Sequence, residues 1–381
     1  AHPIDGSQRL QAIKGLIYCG VCLPGFDAAL ERGLKRLGRE VDQQVLPDGC
    51  HFERNPSRHL SVFATLIEIR AALIHGHVEV PDTLQGAIDR MAPMLRCFRH
   101  GDGKLALFNG ASEEDDAFID LALREAMNRG QALSTAPHGG FHRLKAGHTL
   151  IIADAGKPPV SGHAGSLSFE ISVGKHRMVV NCGAADPTEV LWHEALRNTA
   201  AHSTVTVDDV NSSELIGPGD RGDRQPTRVP FMRREIGRNL LLESNHDGYY
   251  EIFGIVHQRS LFLAADGYDM RGEDVLTGSG TRPFAARFHL HPEVKASLVE
   301  GGGVVLLKLP GGQGWRFRAL GGDVTVEDSV YHGTGARRRC QQIVVSCRHD
   351  GSESTVKWRF NRESGQTKKE APSVGVQDAA I

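Results

Sequence analysis

The densest run of chemically capable side chains is DGCHFERNPSRH, residues 48–59, which sets His51, Glu53, Arg54, Asn55, Arg58 and His59 within a loop and about one helical turn. Arginine stays protonated at any relevant pH, so Arg58 can hold a carboxylate or sulfate bidentately but cannot accept a proton. Histidine near its ordinary pKa can do either. A second concentration is SGHAGSLSFEISVGKHRMVVNCGA, residues 161–184, followed by NTAAHSTVTVDD, residues 198–209. Leu167, Phe169, Ile171 and Val173 alternate with Ser168, Glu170 and Ser172, the period of a half-buried strand, and His163 stands at its mouth. Asn181 ends a second such run and His202 precedes a third, Thr204–Val207. Were the three strands neighbours, His163, Asn181 and His202 would converge. Tyr249, after the turn residues Asp247 and Gly248, offers a phenol, and Asn109 in LALFNG lies between helices where it can line a cleft. His289 and His291 share one strand face, a spacing that fits a metal but more often marks a polar sheet face.

The elements that would position these groups change character once along the chain. Up to about residue 130, apolar residues repeat at three and four: Leu10, Ile13, Leu16 and Ile17; then Leu30, Leu34, Leu37 and Val41; then Leu60, Phe63, Ala64 and Ile67. Pro24-Gly25, Pro47-Asp48-Gly49 and Pro81-Asp82 punctuate them, and Ser112 with its acidic followers suits the start of a last helix. About five helices paired as hairpins are expected. After Gly139-Gly140 come short β-rich runs such as TLIIA, RMVVN, SLFLA, ARFHL and QIVVS, separated by turn residues, the pattern of a large antiparallel sandwich. The expected division is a helical domain over 1–135, a sandwich over 136–360 and a disordered polar tail over 361–381.

A chain of 381 residues is long enough for two domains with a large core. With 44 basic against 46 acidic residues and a net charge of −2, no global field draws it to nucleic acid. No apolar run reaches membrane-spanning length, and residues 1–15 lack the basic start and apolar stretch of a signal peptide. Seven cysteines form no regular framework, which favours a reducing or cysteine-tolerant environment. Cys19 and Cys22 fall within a helical pattern and are expected to be buried structural thiols.

The strings SGHAGSLSFEISVGKHRMVVNCGA, SNHDGYYEIFGIVHQR, RFHLHPEV and, upstream, LPDGCHFERNPSRHL resemble the heparinase II/III family in their order and separation, from about residue 10 to about residue 347. The resemblance implies part of an α/α toroid followed by the β-sandwich, and a polysaccharide lyase that cleaves uronic-acid-containing glycans by β-elimination. That chemistry needs donors or positive charge to neutralise the carboxylate, a base for the adjacent proton and an acid for the leaving oxygen. For that chemistry the candidate catalytic residues, read from residue type and position, are His59, His163 and Tyr249, and the candidate substrate-binding residues are His51, Asn55, Arg58 and Asn109. Two departures stand out. Where the family commonly places a Tyr before His59 this chain has Arg58, and Ser161 takes the position of the first His of a His-x-His-x-Asp string, with Gly165 at its Asp. The resemblance implies no obligatory cofactor. It leaves a structural zinc as an expectation, with His163 and His202 as ligands and Asn181 in place of an Asp, although a neutral amide is a poor zinc ligand. The bland alternative is a metal-free hydrogen-bond cluster.

Two further function classes compete with the lyase. One is a catalytically weak or silent glycan-binding protein of the same architecture, suggested by Arg58 and Ser161. The other is a glycoside hydrolase, for which Glu53 and Glu170 form the carboxylate pair to consider. In each case the expected partner is an acidic polysaccharide or oligosaccharide. The resemblance suggests a periplasmic location, whereas the absence of a visible leader and the cysteine content suggest the cytoplasm. The Asn-His pair that the resemblance implies on the family's earlier toroid helices has no equivalent before Gly25, so the chain is expected to begin partway through that domain, as a fragment of a longer polypeptide or a natural short form with an open toroid.

Overall fold

The computed structural model describes residues 6–159, 162–215, 224–299 and 301–363. Five helices come first: α1 (Gly6–Cys22), α2 (Asp27–Gln44), α3 (Pro56–His75), α4 (Asp82–Cys97) and α5 (Asp116–Glu125). Then follow β1 (Thr135–Ala136), β2 (Phe141–Ala146), β3 (Thr149–Asp154), β4 (Phe169–Val173), β5 (His176–Val180), the helix α6 (Val190–Arg197), β6 (Val205–Val207), β7 (Phe231–Ile236) and β8 (Asn239–Tyr249). After the short helix α7 (Tyr250–Phe253) come β9 (Ile255–Leu263), β10 (Asp269–Gly278), β11 (Thr281–Leu290), β12 (Lys295–Leu298) and β13 (Val304–Lys308). The last strands are β14 (Gly314–Leu320), β15 (Asp323–Tyr331), β16 (Arg338–Asp350) and β17 (Glu353–Arg362). β17 runs past the boundary expected at 360, and residues 364–381 of the expected tail lie outside the described residues.

The strands form two antiparallel sheets among the described residues. One runs β1-β2-β3-β4-β5-β11-β16-β15 with β6 added beside β11, and the other runs β12-β13-β14-β17-β10-β9-β8-β7. Alternation sets the sandwich core: Val356, Trp358 and Phe360 of β17 point inward against Phe288 and Phe317, while Lys357 and Arg359 face out.

The helices lie on the other side of the first sheet. In β3 every residue is buried, because Leu150 and Ile152 join the helical core while Ile151 and Ala153 join the sandwich core. β4 departs from the half-buried strand expected from its sequence, and all five of its residues are buried. Its polar face is covered by the loop after α4, where His100 bonds Glu170 and Ser172, each at 2.9 Å. Polar alternation here marks a polar layer between domains rather than solvent.

Within the helical layer α3 is the central element. Pro56 fits its first turn, where an N–H is not needed, and the Asn55 side chain accepts from the Arg58 N–H at 2.9 Å, a cap worth about 1 kcal/mol. Leu60, Phe63, Leu66, Ile69 and Leu73 are no more than 1% exposed, and each contributes about 1.5–3 kcal/mol of apolar burial. The α1 stripe buries Leu10, Ile13 and Ile17, which turns the opposite side of the helix outward. Cys19 and Cys22 lie on that outward side and are exposed, correcting the expectation of buried thiols; all seven cysteines are free. Among the described residues, no helix is long and apolar enough to cross a membrane.

Candidate functional site

The loop between α2 and α3 is anchored to the sandwich by Arg54. Its guanidinium, buried over the Phe141 ring, donates to Gly139 O and Lys157 O at 2.7 Å each and pairs with the Asp154 carboxylate at the end of β3. Asp154 also accepts from Asn109 Nδ2 at 3.3 Å, and Asn109 in turn donates to Arg54 O at 3.0 Å. Asn55 Nδ2 donates to Asn109 O at 2.9 Å. This knot fixes the start of α3 against the 107–110 loop and leaves a cleft of about 300 Å³ beside it.

Asn55, Arg58, Asn109 and His163 all line this cleft, together with Glu53, as do His193 and Arg197 on α6. Arg58 Nε lies 3.3 Å from the Glu53 carboxylate. The amides of Asn55 and Asn109 carry out capping and loop clasping, so their main contribution is to position Arg58 rather than to supply donors. His163 closes the floor. Its Nδ1 is 3.2 Å from His202 Nε2, and His202 Nδ1 is 2.8 Å from Asn198 O. A carbonyl can only accept, so the His202 proton sits on Nδ1 and its Nε2 accepts from His163 Nδ1–H, while the Leu196 carbonyl is a further partner of the His163 ring, whose other nitrogen is Nε2. That atom faces Gly110, where an added Cβ would approach it to 3.1 Å; with φ at +87°, Gly110 also holds a backbone conformation that favours glycine.

Burial is the main cause that pushes His163 well below its ordinary value, reinforced by His202, Arg197 and His193. Burial likewise lowers His202 to about 4. Both imidazoles are therefore neutral near pH 7. His163 can accept a proton or a hydrogen bond from a bound hydroxyl, but it cannot act as a charged acid there.

Several candidates stand elsewhere. His59 points into the helical core, 1% exposed, between Phe63 and Phe98 with Nε2 on Met91 O at 3.0 Å, and burial lowers it to about 4. It is a packing residue because it occupies the same apolar stripe as Phe63, one turn earlier. His51 is fully buried with Nε2 at 3.1 Å from Gln44 Oε1. Tyr249 is fully buried in the sandwich core and donates to Val205 O at 2.8 Å; burial raises it far above the ordinary phenol range. None of the three lines the cleft. Glu170, half of the hydrolase pair, is fully buried and accepts from Leu107 N, Asn181 N and His100, so it cannot face Glu53 across a substrate. Ser161 lies outside the described residues.

His163, Asn181 and His202 do not fit a structural zinc. Asn181 Oδ1 is taken by Ser203 N at 3.0 Å, and the described residues hold no group of three His, Cys, Asp or Glu side chains that could grip a metal ion. The position expected to carry a family Asp is Gly165, where even a Cβ would come within 2.6 Å of the His202 ring. His289 and His291 are both buried, and they do not converge on one donor set: His289 bonds Ser329 and Ala200 O, while His291 packs edge-on against Tyr331.

The sequence reading missed His193 and Arg197. They sit on a single eight-residue helix inside a β-rich region. The one available signal was the helical spacing of Trp192, Leu196 and their polar neighbours in VLWHEALR.

A helical layer packed on a two-sheet antiparallel sandwich, with a polar cleft where they meet, is a polysaccharide-lyase-like architecture. Residues 128–359 match the family described as heparinase II/III-like, C-terminal, and residues 1–129 match the heparinase II/III N-terminus. The chain belongs to the heparinase II/III family. FtsZ-localized protein C of Caulobacter vibrioides is 31% identical over 374 residues, which cover 92% of this chain and 64% of that protein. Among solved structures, the heparinase III BT4657 gene product superposes with a TM-score of 0.78 at 18% identity, covering 95% of this chain and 60% of that one. Heparan sulfate lyase HepC from Pedobacter heparinus gives 0.78 at 16% identity, with 96% and 61% covered. At those identities the structural likeness speaks for the fold. The chain thus spans about 60 to 64% of the length of these relatives.

Proposed function

We propose that the cleft binds an acidic saccharide and does so without β-elimination. The observation that carries this reading is the composition of the cleft: Arg58, Arg197 and the neutral imidazole of His163 line it with Glu53 and His193, and among the described residues no tyrosine does. Arg58 holds a uronate carboxylate or a sulfate, Arg197 on α6 adds positive charge, and the neutral His163 ring meets the sugar hydroxyls. The lyase that the resemblance implies works through a tyrosine, whereas the further proton-transfer groups lining this cleft are Glu53, beside Arg58, and His193. Arg58 occupies the position where the resemblance implies a tyrosine, and Tyr249 and Tyr331 have their hydroxyls committed to Val205 O and Glu113 in buried surroundings. The structural neighbour named as a heparan sulfate lyase makes a sulfated uronic-acid glycan the first ligand to test.

The test is calorimetric titration with heparan sulfate oligosaccharides, with unsaturated uronate absorbance followed in parallel. Binding that weakens in Arg58→Ala, with no unsaturated product, is expected. Product formation by the parent chain would replace this reading with the lyase, and an absence of binding at low salt would end both.

A further inference from the structure

A second concave surface lies on the outer face of the eight-stranded sheet, away from the cleft. It encloses about 720 Å³. The strand registers fix its floor. Arg318 of β14 stands beside Arg359 of β17, Arg359 beside Arg271 of β10, Arg271 beside Phe262 of β9, and Phe262 beside Leu241 of β8. Outward residues on neighbouring strands sit about 4.8 Å apart, so three guanidinium groups share one short row. Like charges placed directly opposite across strands destabilise a sheet. Here Asp269 relieves two of them, pairing with Arg271 and with Arg359 at 2.5 and 2.6 Å. Arg318 is exposed and has no ion pair among the described residues. Lys357, in the next row, pairs loosely with Glu273 at 3.4 Å.

The row is therefore left with uncompensated positive charge, flanked by apolar surface from Leu241, Val304 and Leu320, the last 74% exposed. Exposed aliphatic surface rimmed by charge is the composition of an interaction site. The nature of the apolar part decides between occupants. Sugars pack on open aromatic faces, but the aromatic ring in this row, Phe262, is capped by the Arg271 guanidinium at 5.5 Å. Trp358 also lines the surface but is buried, so what remains open is aliphatic, which suits leucine-like side chains. A helix presents carboxylates at i, i+4 and i+7 about 5–6 Å apart, close to the spacing of the arginines.

We propose that the outer face of the eight-stranded sheet docks an acidic, amphipathic polypeptide segment of a partner protein, with carboxylates on Arg318, Arg359 and Arg271 and aliphatic side chains against Leu241 and Leu320. This surface is separate from the saccharide cleft and does not depend on it.

The probe is a fluorescent synthetic helical peptide of Glu, Leu and Ala with glutamates at i, i+4 and i+7. A scrambled peptide of the same composition and heparan sulfate oligosaccharides serve as comparisons, and all are titrated against the full chain. The ordered peptide should bind at least tenfold more tightly than the scrambled one. Arg318→Glu should weaken it about tenfold with unchanged melting temperature, Arg359→Gln should weaken it several-fold, and Arg58→Ala should leave it unaltered. Arg318→Gln should fall between parent and reversal. Hydrogen exchange should slow in β14, β17 and β10 when the peptide is added. Equal binding of ordered and scrambled peptides, or full affinity in Arg318→Glu, would overturn the proposal. So would heparan sulfate binding that is lost in Arg318→Glu but retained in Arg58→Ala, since that would make this face a saccharide site.

Discussion

Asp154→Ala probes the knot that holds the cleft together. The side chains of Arg54 and Asp154 are 6% and 5% exposed, so removing the carboxylate leaves a buried guanidinium with no counter-charge. Breaking a buried pair from one side costs about 3–5 kcal/mol. Two features push the cost in opposite directions. Gly139 O and Lys157 O still accept from Arg54, which lowers it, while Asn109 Nδ2 and Gly156 N lose their acceptor, which raises it by about 1 kcal/mol each. A net loss of about 4 kcal/mol is expected, read from the urea midpoint by far-UV circular dichroism with an unchanged slope. Removing both partners tests whether charge is the cause. Asp154→Leu with Arg54→Met should cost less than the sum of the two single changes by at least 2 kcal/mol, since neither then leaves an unpaired charge. A loss under about 1 kcal/mol in Asp154→Ala, or strict additivity in the double variant, would refute the argument that this pair locks the α2–α3 loop to β3.

Other outcomes follow from the same contacts. Arg58→Ala should weaken heparan sulfate binding several-fold near 0.05 M salt and less at 0.3 M, where the Debye length is shorter, with Arg58→Lys falling between; titration at both salts checks this. His59, His142 and His202 are each lowered to about 4, chiefly by burial. The unfolded chain then binds more protons between about pH 6.5 and 4, so their contribution, up to about 3 kcal/mol each, is present above that window and lost as pH falls through it. Melting scans from pH 7 to 4.5 should show that decline, with a shallower slope in His59→Phe. Tyr249→Phe should cost about 1 kcal/mol through its lost bond to Val205 O and leave saccharide affinity unchanged, because the phenol is part of the core.

Much of the scaffold was legible because each segment obeys one period. The stripes of α1 to α3 and the alternating runs of β3, β9 and β16 reappear as elements, since burial on one face is written directly into residue order. β10 and β17 were harder to read. ESTVKWRFNR carries a polar residue at every second position, three of them charged, and only pairing with β10 and β14 shows that Val356, Trp358 and Phe360 form its core side. The same limit explains β4. Its Ser168, Glu170 and Ser172 read as a solvated face because a sequence cannot say that a second domain will bring His100 onto them.

The candidate site divides along a similar line. Asn55, Arg58, Asn109 and His163 could be found because loops and strand mouths leave few places for their side chains except a cleft. His59 and Tyr249 were misplaced because their chemistry outweighed their position. His59 lies one turn before Phe63 on the buried stripe of α3, and Tyr249 ends β8 with its hydroxyl turned onto Val205 O. Residue type states what a side chain can do; the period in which it sits states what it touches. His163 shows both at once. As an isolated histidine it is an ordinary acid or base, but the chain of bonds from Asn198 O through His202 places its proton on Nδ1 and, with the Leu196 carbonyl, holds the ring at the cleft. Replacing His202 with Phe would remove that acceptor for the His163 proton and free the imidazole to choose its tautomer. Arg58 would still hold the acid group, so saccharide binding should weaken modestly while its dependence on salt stays the same.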